Sequence, residues 1–317
     1  EASSHGLKQH RLDGLEFMTG IFTNLSHDHL DYHKNFNDYL KSKLYLFEKL
    51  LKKKSNIITD IEIPEYKNIK KIALKRKLNI DTISNKNSSL NIIYHKYFQD
   101  KQLNKIKYKN KVYKFQTSLV GKIQIKNILM AMLAAKNSGL NFNQIVNVID
   151  KVRAVSGRLE KIGIIKNNSR VILDYAHTPD AMQTCLQNLK EQFKGKKISI
   201  VFGCGGNRDQ SKRPMMGKIV SHYCDKIYLT DDNPRKENPK KIRSEIKASI
   251  DKSKLYEIPS RFNAIQRAIE NLKTGEVLVV AGKGHENIQD YGNIKNFFSD
   301  KEIILKYIKI KNQNLSK

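Results

Sequence analysis

Residues 277–286 read VLVVAGKGHE. Five apolar residues run without a polar break, then give way to glycine, lysine, histidine and glutamate. A continuous run of this length suits a strand buried on both faces, as in a parallel sheet covered by helices. Three more runs of the same kind stand upstream: VILDYA (171–176), ISIVFG (198–203) and KIYLT (226–230). Helical stretches are expected between them at 179–193, 214–223, 239–250 and 261–272. This alternation predicts a parallel α/β domain. In such sheets ligands bind beyond the carboxyl ends of the strands. The polar motifs DYAHTPD (174–180), FGCGGNRD (202–209), DDNPR (231–235) and AGKGHE (281–286) all fall at those ends.

Each loop has a plain reading beside a functional one. The glycines of FGCGGNRD let backbone approach a ligand or a helix, but the G-x-G-x-x-G spacing of a dinucleotide loop is missing. Arg208 is either a surface residue or a bidentate clamp for a carboxylate. In DDNPR, Asn-Pro sets a turn and also aims an amide and a guanidinium at the crevice. Glu286 is able to hold an ammonium. Two cations (Arg208, Arg235), an amide (Asn233) and an anion (Glu286) together suit a zwitterionic amino acid with an extra carboxylate. Asp174 either binds a ribose or metal-bound water or caps the helix opened by Pro179. Arg158, in SGRLE (156–160), is either a ligand contact or one half of an interdomain salt bridge.

The first half of the chain reads differently. GIFTNL (20–25) is expected to be a short buried strand, and residues 35–51 an amphipathic helix with apolar residues at spacings of three and four. Residues 55–118 are expected to form short strands with turns, and 125–139 a second helix closed by a glycine. FTNLSHDHLDYH (22–33) places His27, His29 and His33 beside Asp28 and Asp31. Polar loop residues and a hard-cation site are equally good readings of it, and structural zinc is a poorer one.

Composition narrows the class. With 59 Lys and Arg against 31 Asp and Glu, the net charge of +28 invites a nucleic-acid reading. Residues 51–115 hold 17 basic against 5 acidic residues, so 12 of the 28 excess charges sit in one stretch without aromatic platforms or zinc-finger spacing. A lysine-rich solvated surface is the preferred reading, with no nucleic-acid partner. No run approaches the roughly 18 apolar residues of a membrane helix. Three cysteines without CxxC spacing fit a reducing cytosol. No G-x-x-x-x-G-K-[ST] phosphate loop occurs among the 317 residues.

Taken in order, EASSHGLKQHR, FTNLSHDHLDYH, YLKSK, SGRLE, DYAHTPD, FGCGGNRD, SKRPMMG, DDNPR and AGKGHE resemble the Mur ligase family, with residues 52–115 the least similar. The resemblance implies that residues 1–155 belong to the central ATPase domain and 156–317 to a Rossmann-like C-terminal domain that binds an amino acid. It implies an ATP-dependent amide-bond ligase of peptidoglycan synthesis, with UDP-MurNAc-L-Ala-D-Glu and ATP as co-substrates and Mg²⁺ as cofactor. By the same resemblance Glu1, His29 and Lys43 hold the metal, Lys43 as a CO₂-derived carbamate. Ser3, Gln9 and Arg11 meet the UDP-muramoyl-peptide, while Asn127, Arg158 and Asp174 lie near the nucleotide. Catalytic roles fall to Lys43, His29, Arg158 and Asp174. Arg208, Asp232, Asn233, Pro234, Arg235, Gly282 and Glu286 form the amino-acid site, and D-N-P-R implies meso-diaminopimelate rather than L-lysine. The family's uridine-binding domain and P-loop precede the matched motifs. The stretch is therefore expected to be a C-terminal part without ATP turnover of its own. A cytoplasmic monomer is expected. A folylpolyglutamate synthetase-like ligase, a non-catalytic binding remnant and a basic nucleic-acid binder are the competing readings.

Overall fold

The computed structural model describes residues 1–26, 29 and 32–316. They form two compact units, one of residues 1–118 and 122–152, the other of 119–121 and 153–317.

The first unit contains α1 (Ser4–Lys8), β1 (Phe17–Phe22), α2 (Phe36–Tyr45), β2 (Leu51–Asp60), α3 (Tyr66–Arg76), β3 (Asn79–Ser84), β4 (Leu90–Phe98), β5 (Lys101–Tyr108), β6 (Lys111–Thr117), α4 (Lys122–Asn137) and α5 (Phe142–Asn147). Its six strands lie in sequence order in one sheet. β1 to β4 pair in parallel, and β5 and β6 extend the sheet as an antiparallel meander. Phe22, Phe47, Leu51, Ile57, Ile69 and Ala73 form a core cluster between this sheet and its helices.

Three expectations need correction here. The first strand begins at Phe17, ahead of residues 20–25, and only two of its six residues are buried, because β1 is the sheet edge. The helix expected over 35–51 ends at Tyr45. A π-helical turn, Leu46–Leu50, follows, and Leu51 already belongs to β2. The all-strand reading of 55–118 missed α3. Its buried positions are only Ile69 and Ala73, so lysines on the remaining faces mask the helical period. The second helix runs Lys122–Asn137, and Gly139 beyond it takes φ +96°.

The second unit contains β7 (Glu160–Ile164), β8 (Arg170–Asp174), α6 (Pro179–Gln192), β9 (Ile198–Phe202), α7 (Lys212–Tyr223), β10 (Lys226–Leu229), α8 (Pro239–Lys247), β11 (Leu255–Glu257), α9 (Arg261–Glu270), β12 (Val277–Ala281), β13 (Ile288–Asp290), β14 (Lys295–Phe297) and α10 (Asp300–Asn314). The sheet order is β11-β10-β9-β12-β8-β7. Its pairings are parallel except at β7, which runs antiparallel to β8. Every residue of β8, β9 and β12 is buried, as strands covered on both faces must be. Val171, Leu173, Val201, Leu278 and Val280 pack against α9 and α10 through Ala264, Ala268, Ile304 and Ile308.

Register sets the site. Ala281 pairs with Asp174, Val280 with Val201, and Leu229 with Phe202. The four strands therefore end at nearly one level, and the four polar loops leave from one edge. The sequence reading did not include α10, β7 or the β13–β14 hairpin.

Candidate functional site

The loop after β10 carries Asp231, Asp232, Asn233 and Pro234, all buried or nearly so. Asn233 is its centre. Its Oδ1 accepts from Lys283 Nζ (3.0 Å) and from the Asp290 backbone N–H (3.0 Å). Its Nδ2 donates to Glu286 Oε2 at 3.1 Å. Glu286 also accepts from the Tyr175 hydroxyl at 3.3 Å. Lys283 is fully buried and donates to the Ile288 carbonyl at 2.5 Å, with Glu286 Oε2 3.5 Å away. Asn233 and Glu286 thus meet directly.

Arg235 sits at φ +53°, the left-handed region that a non-glycine residue rarely takes. Its N–H donates to Asp290 O (2.9 Å), and its Nη1 donates to Gly206 O at 2.7 Å. The guanidinium therefore lies on the glycine-rich loop after β9. Gly206 has to be glycine for that approach: a Cβ there would stand 1.9 Å from the Pro234 carbonyl oxygen. The same loop is tied from below by Arg213, fully buried, which donates to Glu245 (2.6 Å), Glu237 (2.9 Å) and Gly205 O (3.5 Å). Arg208 is exposed on this loop.

Asp232 Oδ2 is buried without a hydrogen-bond partner, 3.8 Å from Arg261 Nη1, which is equally unpartnered. Arg261 is held by both oxygens of Asp300, at 2.8 and 2.7 Å, and donates to the Ala281 carbonyl at 2.9 Å. It anchors the end of β12, where Gly282 begins the next loop.

Asp174 does not cap α6: Thr178 does, its hydroxyl accepting from Ala181 N–H. The Asp174 carboxylate instead accepts from Leu159 N–H (2.7 Å) and Ala176 N–H (3.0 Å). Burial pushes its pKa up although both backbone bonds and Arg158 pull it down. Leu159, at φ +45°, is held in a conformation costly for leucine. A Cβ on Gly157 would stand 2.4 Å from the His285 backbone nitrogen, so SGRLE packs on AGKGHE. Arg158 lies over the Tyr175 ring, 4.5 Å from its centroid. Asn127, on α4 in the other unit, is exposed and donates to Gln124 Oε1 at 3.3 Å.

In the first unit, His29 and Lys43 approach one ring. The His29 imidazole meets Tyr39 edge-on at 5.8 Å, and Lys43 Nζ stands 5.4 Å from the same centroid. His33 is buried, stacks on Tyr39 (4.9 Å) and pairs with Ser4 Oγ at 3.0 Å. Glu1 is exposed, and His27, Asp28 and Asp31 lie outside the described residues. Among the described residues no three His, Cys, Asp or Glu side chains form a metal-holding group. A cation there needs oxygens from elsewhere, and a carbamate on Lys43 has the right donor chemistry. Ser3 caps α1 by accepting from Gly6 N–H (3.1 Å), and Gln9 donates to the Tyr32 hydroxyl (3.0 Å). Arg11 is exposed nearby in sequence.

Lys283, Tyr175, Arg213 and Arg261 went unassigned in the sequence. Lys283 stands between the two glycines of a quoted motif, and Arg213 within SKRPMMG. Arg261, at a helix start, carries no local signal.

Residues 1–135 match the Mur ligase middle domain, and residues 157–284 the Mur ligase glutamate ligase domain. The chain is 41% identical over 304 residues to the UDP-N-acetylmuramoyl-L-alanyl-D-glutamate--2,6-diaminopimelate ligase of Rickettsia bellii, covering 96% of this chain and 63% of that protein. Identity to the ligase of that name from Rhizobium meliloti is 39% over 302 residues, 95% of this chain and 61% of the relative. The chain thus spans less than two thirds of the length of the curated relatives it matches. A solved structure of a ligase of the same name is 30% identical, with TM-score 0.66 over all of this chain and 64% of that one. A Mycobacterium tuberculosis folylpolyglutamate synthase, 15% identical with TM-score 0.68 over 83% of this chain and 61% of that one, shares the fold. Two family domains in order, over the motifs and the sheet edge described, place this chain in the Mur ligase family.

Proposed function

We propose that these residues serve an ATP-dependent ligase that joins meso-diaminopimelate to UDP-MurNAc-L-Ala-D-Glu. The Asn233–Glu286 pair beside Arg235, on one sheet edge of a family member, carries this reading. In the reaction the terminal carboxylate of the D-Glu residue attacks the γ-phosphorus of ATP, and ADP leaves. The amine of diaminopimelate adds its lone pair to the acyl carbon, phosphate leaves, and the amine loses a proton. Activation is required because a carboxylate resists attack by an amine.

This chain's residues would bind and orient the amine donor. Glu286 offers an acceptor to an ammonium, and the Asn233 amide offers a donor. Arg235 and Arg208 supply cations for the carboxylates, including the distal one that L-lysine lacks. Asp232, Pro234 and Gly282 shape the loops that hold these groups. Asp174, with both oxygens on backbone N–H groups, would act by setting the loop that bears Arg158; nucleotide roles for Arg158, Asp174 and Asn127 are part of the same reading. Ser3, Gln9 and Arg11 would meet the UDP-muramoyl-peptide. Mg²⁺, when held by Glu1, His29 and carbamylated Lys43, would neutralise phosphate charge. The small-molecule partners, the cytoplasmic location and the monomeric state belong to the same reading. Among the described residues no helix is long and apolar enough to cross a membrane.

The test is ADP release by the protein carrying these residues at the length of its relatives. Release is expected only with UDP-MurNAc-L-Ala-D-Glu and meso-diaminopimelate present together, and the 317 residues alone, without a phosphate loop, are expected to release none. Equal or better turnover with L-lysine overturns the diaminopimelate assignment.

A further inference from the structure

Lys283 is a fully buried ammonium inside the candidate amino-acid site, and burying an ammonium is costly unless partners repay it. Its partners are Asn233 Oδ1, the Ile288 carbonyl and, farther off, Glu286 Oε2. Two of the three are neutral, so its charge is only loosely compensated.

The network fixes the polarity of Asn233. Both groups on its oxygen side, the Lys283 ammonium and the Asp290 N–H, are obligate donors. The group on its nitrogen side, the Glu286 carboxylate, accepts. The amide cannot turn over without setting donor against donor, so the site meets the Asn233 NH₂ and never its oxygen. The Lys283 charge also offsets that of Glu286. Without it the pocket would gain one net negative charge, favouring a ligand's ammonium and disfavouring its carboxylate.

We propose that Lys283 is a positioning and selectivity-setting residue: it locks Asn233 as a donor and balances Glu286, so that the pocket selects an amino acid bearing an extra carboxylate over one bearing only an extra ammonium. The inference rests on the amino-acid reading above and names what tunes it. Lys283 need not touch the substrate. Its effect passes through Asn233 and Glu286.

The experiment is calorimetric titration of the wild-type chain, Lys283→Met and Asn233→Asp with meso-diaminopimelate and with L-lysine, each protein checked by thermal unfolding. Wild type is expected to favour diaminopimelate, and Lys283→Met to lower that preference at least tenfold. A merely structural role would weaken both ligands alike and leave the ratio unchanged. Asn233→Asp still accepts from Lys283 but presents no donor, and the same collapse is expected. An unchanged ratio there overturns the inference even if Lys283→Met does not fold. An unchanged ratio in a folded variant overturns the inference. A wild-type chain that binds neither ligand, or both equally, overturns the diaminopimelate reading itself, and the role of Lys283 in selectivity with it.

Discussion

Arg235 shows how a single residue can be held ready. Its left-handed backbone and its bond to the Gly206 carbonyl pin the guanidinium on the glycine-rich loop. A distal carboxylate would exchange that bond to a neutral carbonyl for an ion pair, in which both partners are charged, worth about 1.5–3 kcal/mol. Arg235→Ala is therefore expected to weaken meso-diaminopimelate binding about 10- to 100-fold and L-lysine binding far less, as titration would show. Equal losses for both ligands would contradict a role in reading the distal carboxylate. His33 gives a second expectation at this scale. Burial, then Lys8, hold its pKa below the ordinary 6.5 against the pull of Asp38, with His5 and His29 adding to the depression. The folded state thus binds fewer protons than the unfolded chain. Stability should be full above about pH 6.5 and fall as the pH drops toward the depressed value. Melting temperatures of wild type and His33→Gln between pH 5 and 8 should diverge, the variant losing less on acidification. Parallel curves would remove His33 as the source. Neither residue's setting was legible in its motif. Spacing identified Arg235 as a candidate cation, but its bond to Gly206 joins loops 29 residues apart. His33 reads as a possible ligand because burial by Tyr39 and Ser4 is a long-range outcome.

Elements were legible where burial leaves a one-dimensional trace. β8, β9 and β12 are covered on both faces and so are mostly apolar runs, and α6 and α8 begin with a side-chain cap followed by Pro. Where an element buries little, the trace fades. α3 buries two side chains, and β1 is an edge strand. What holds the ends of these elements together was not legible at all. Arg261 joins the start of α9 to the end of β12 and the start of α10 through Ala281 and Asp300. Replacing it by Met would leave the Asp300 and Asp232 carboxylates buried without their cation, a loss of about 3–5 kcal/mol. Urea denaturation should show a lower midpoint at unchanged slope. A shift under 1 kcal/mol would mean that the pair is not a principal tie.

At the scale of the molecule, chemistry is divided between two units. The residues of the candidate amino-acid site all belong to residues 153–317, whereas His29 and Lys43 belong to the first unit. The second unit carries its own sheet, its own core and the converging loops. That division predicts that amino-acid recognition separates from ATP chemistry. The most direct test is calorimetric titration of the 317-residue chain with meso-diaminopimelate, with L-lysine as the control. Saturable binding of meso-diaminopimelate, at least tenfold tighter than L-lysine, is the expected result. A folded chain that binds neither, or that prefers L-lysine, would contradict the assignment of this sheet edge as a diaminopimelate site.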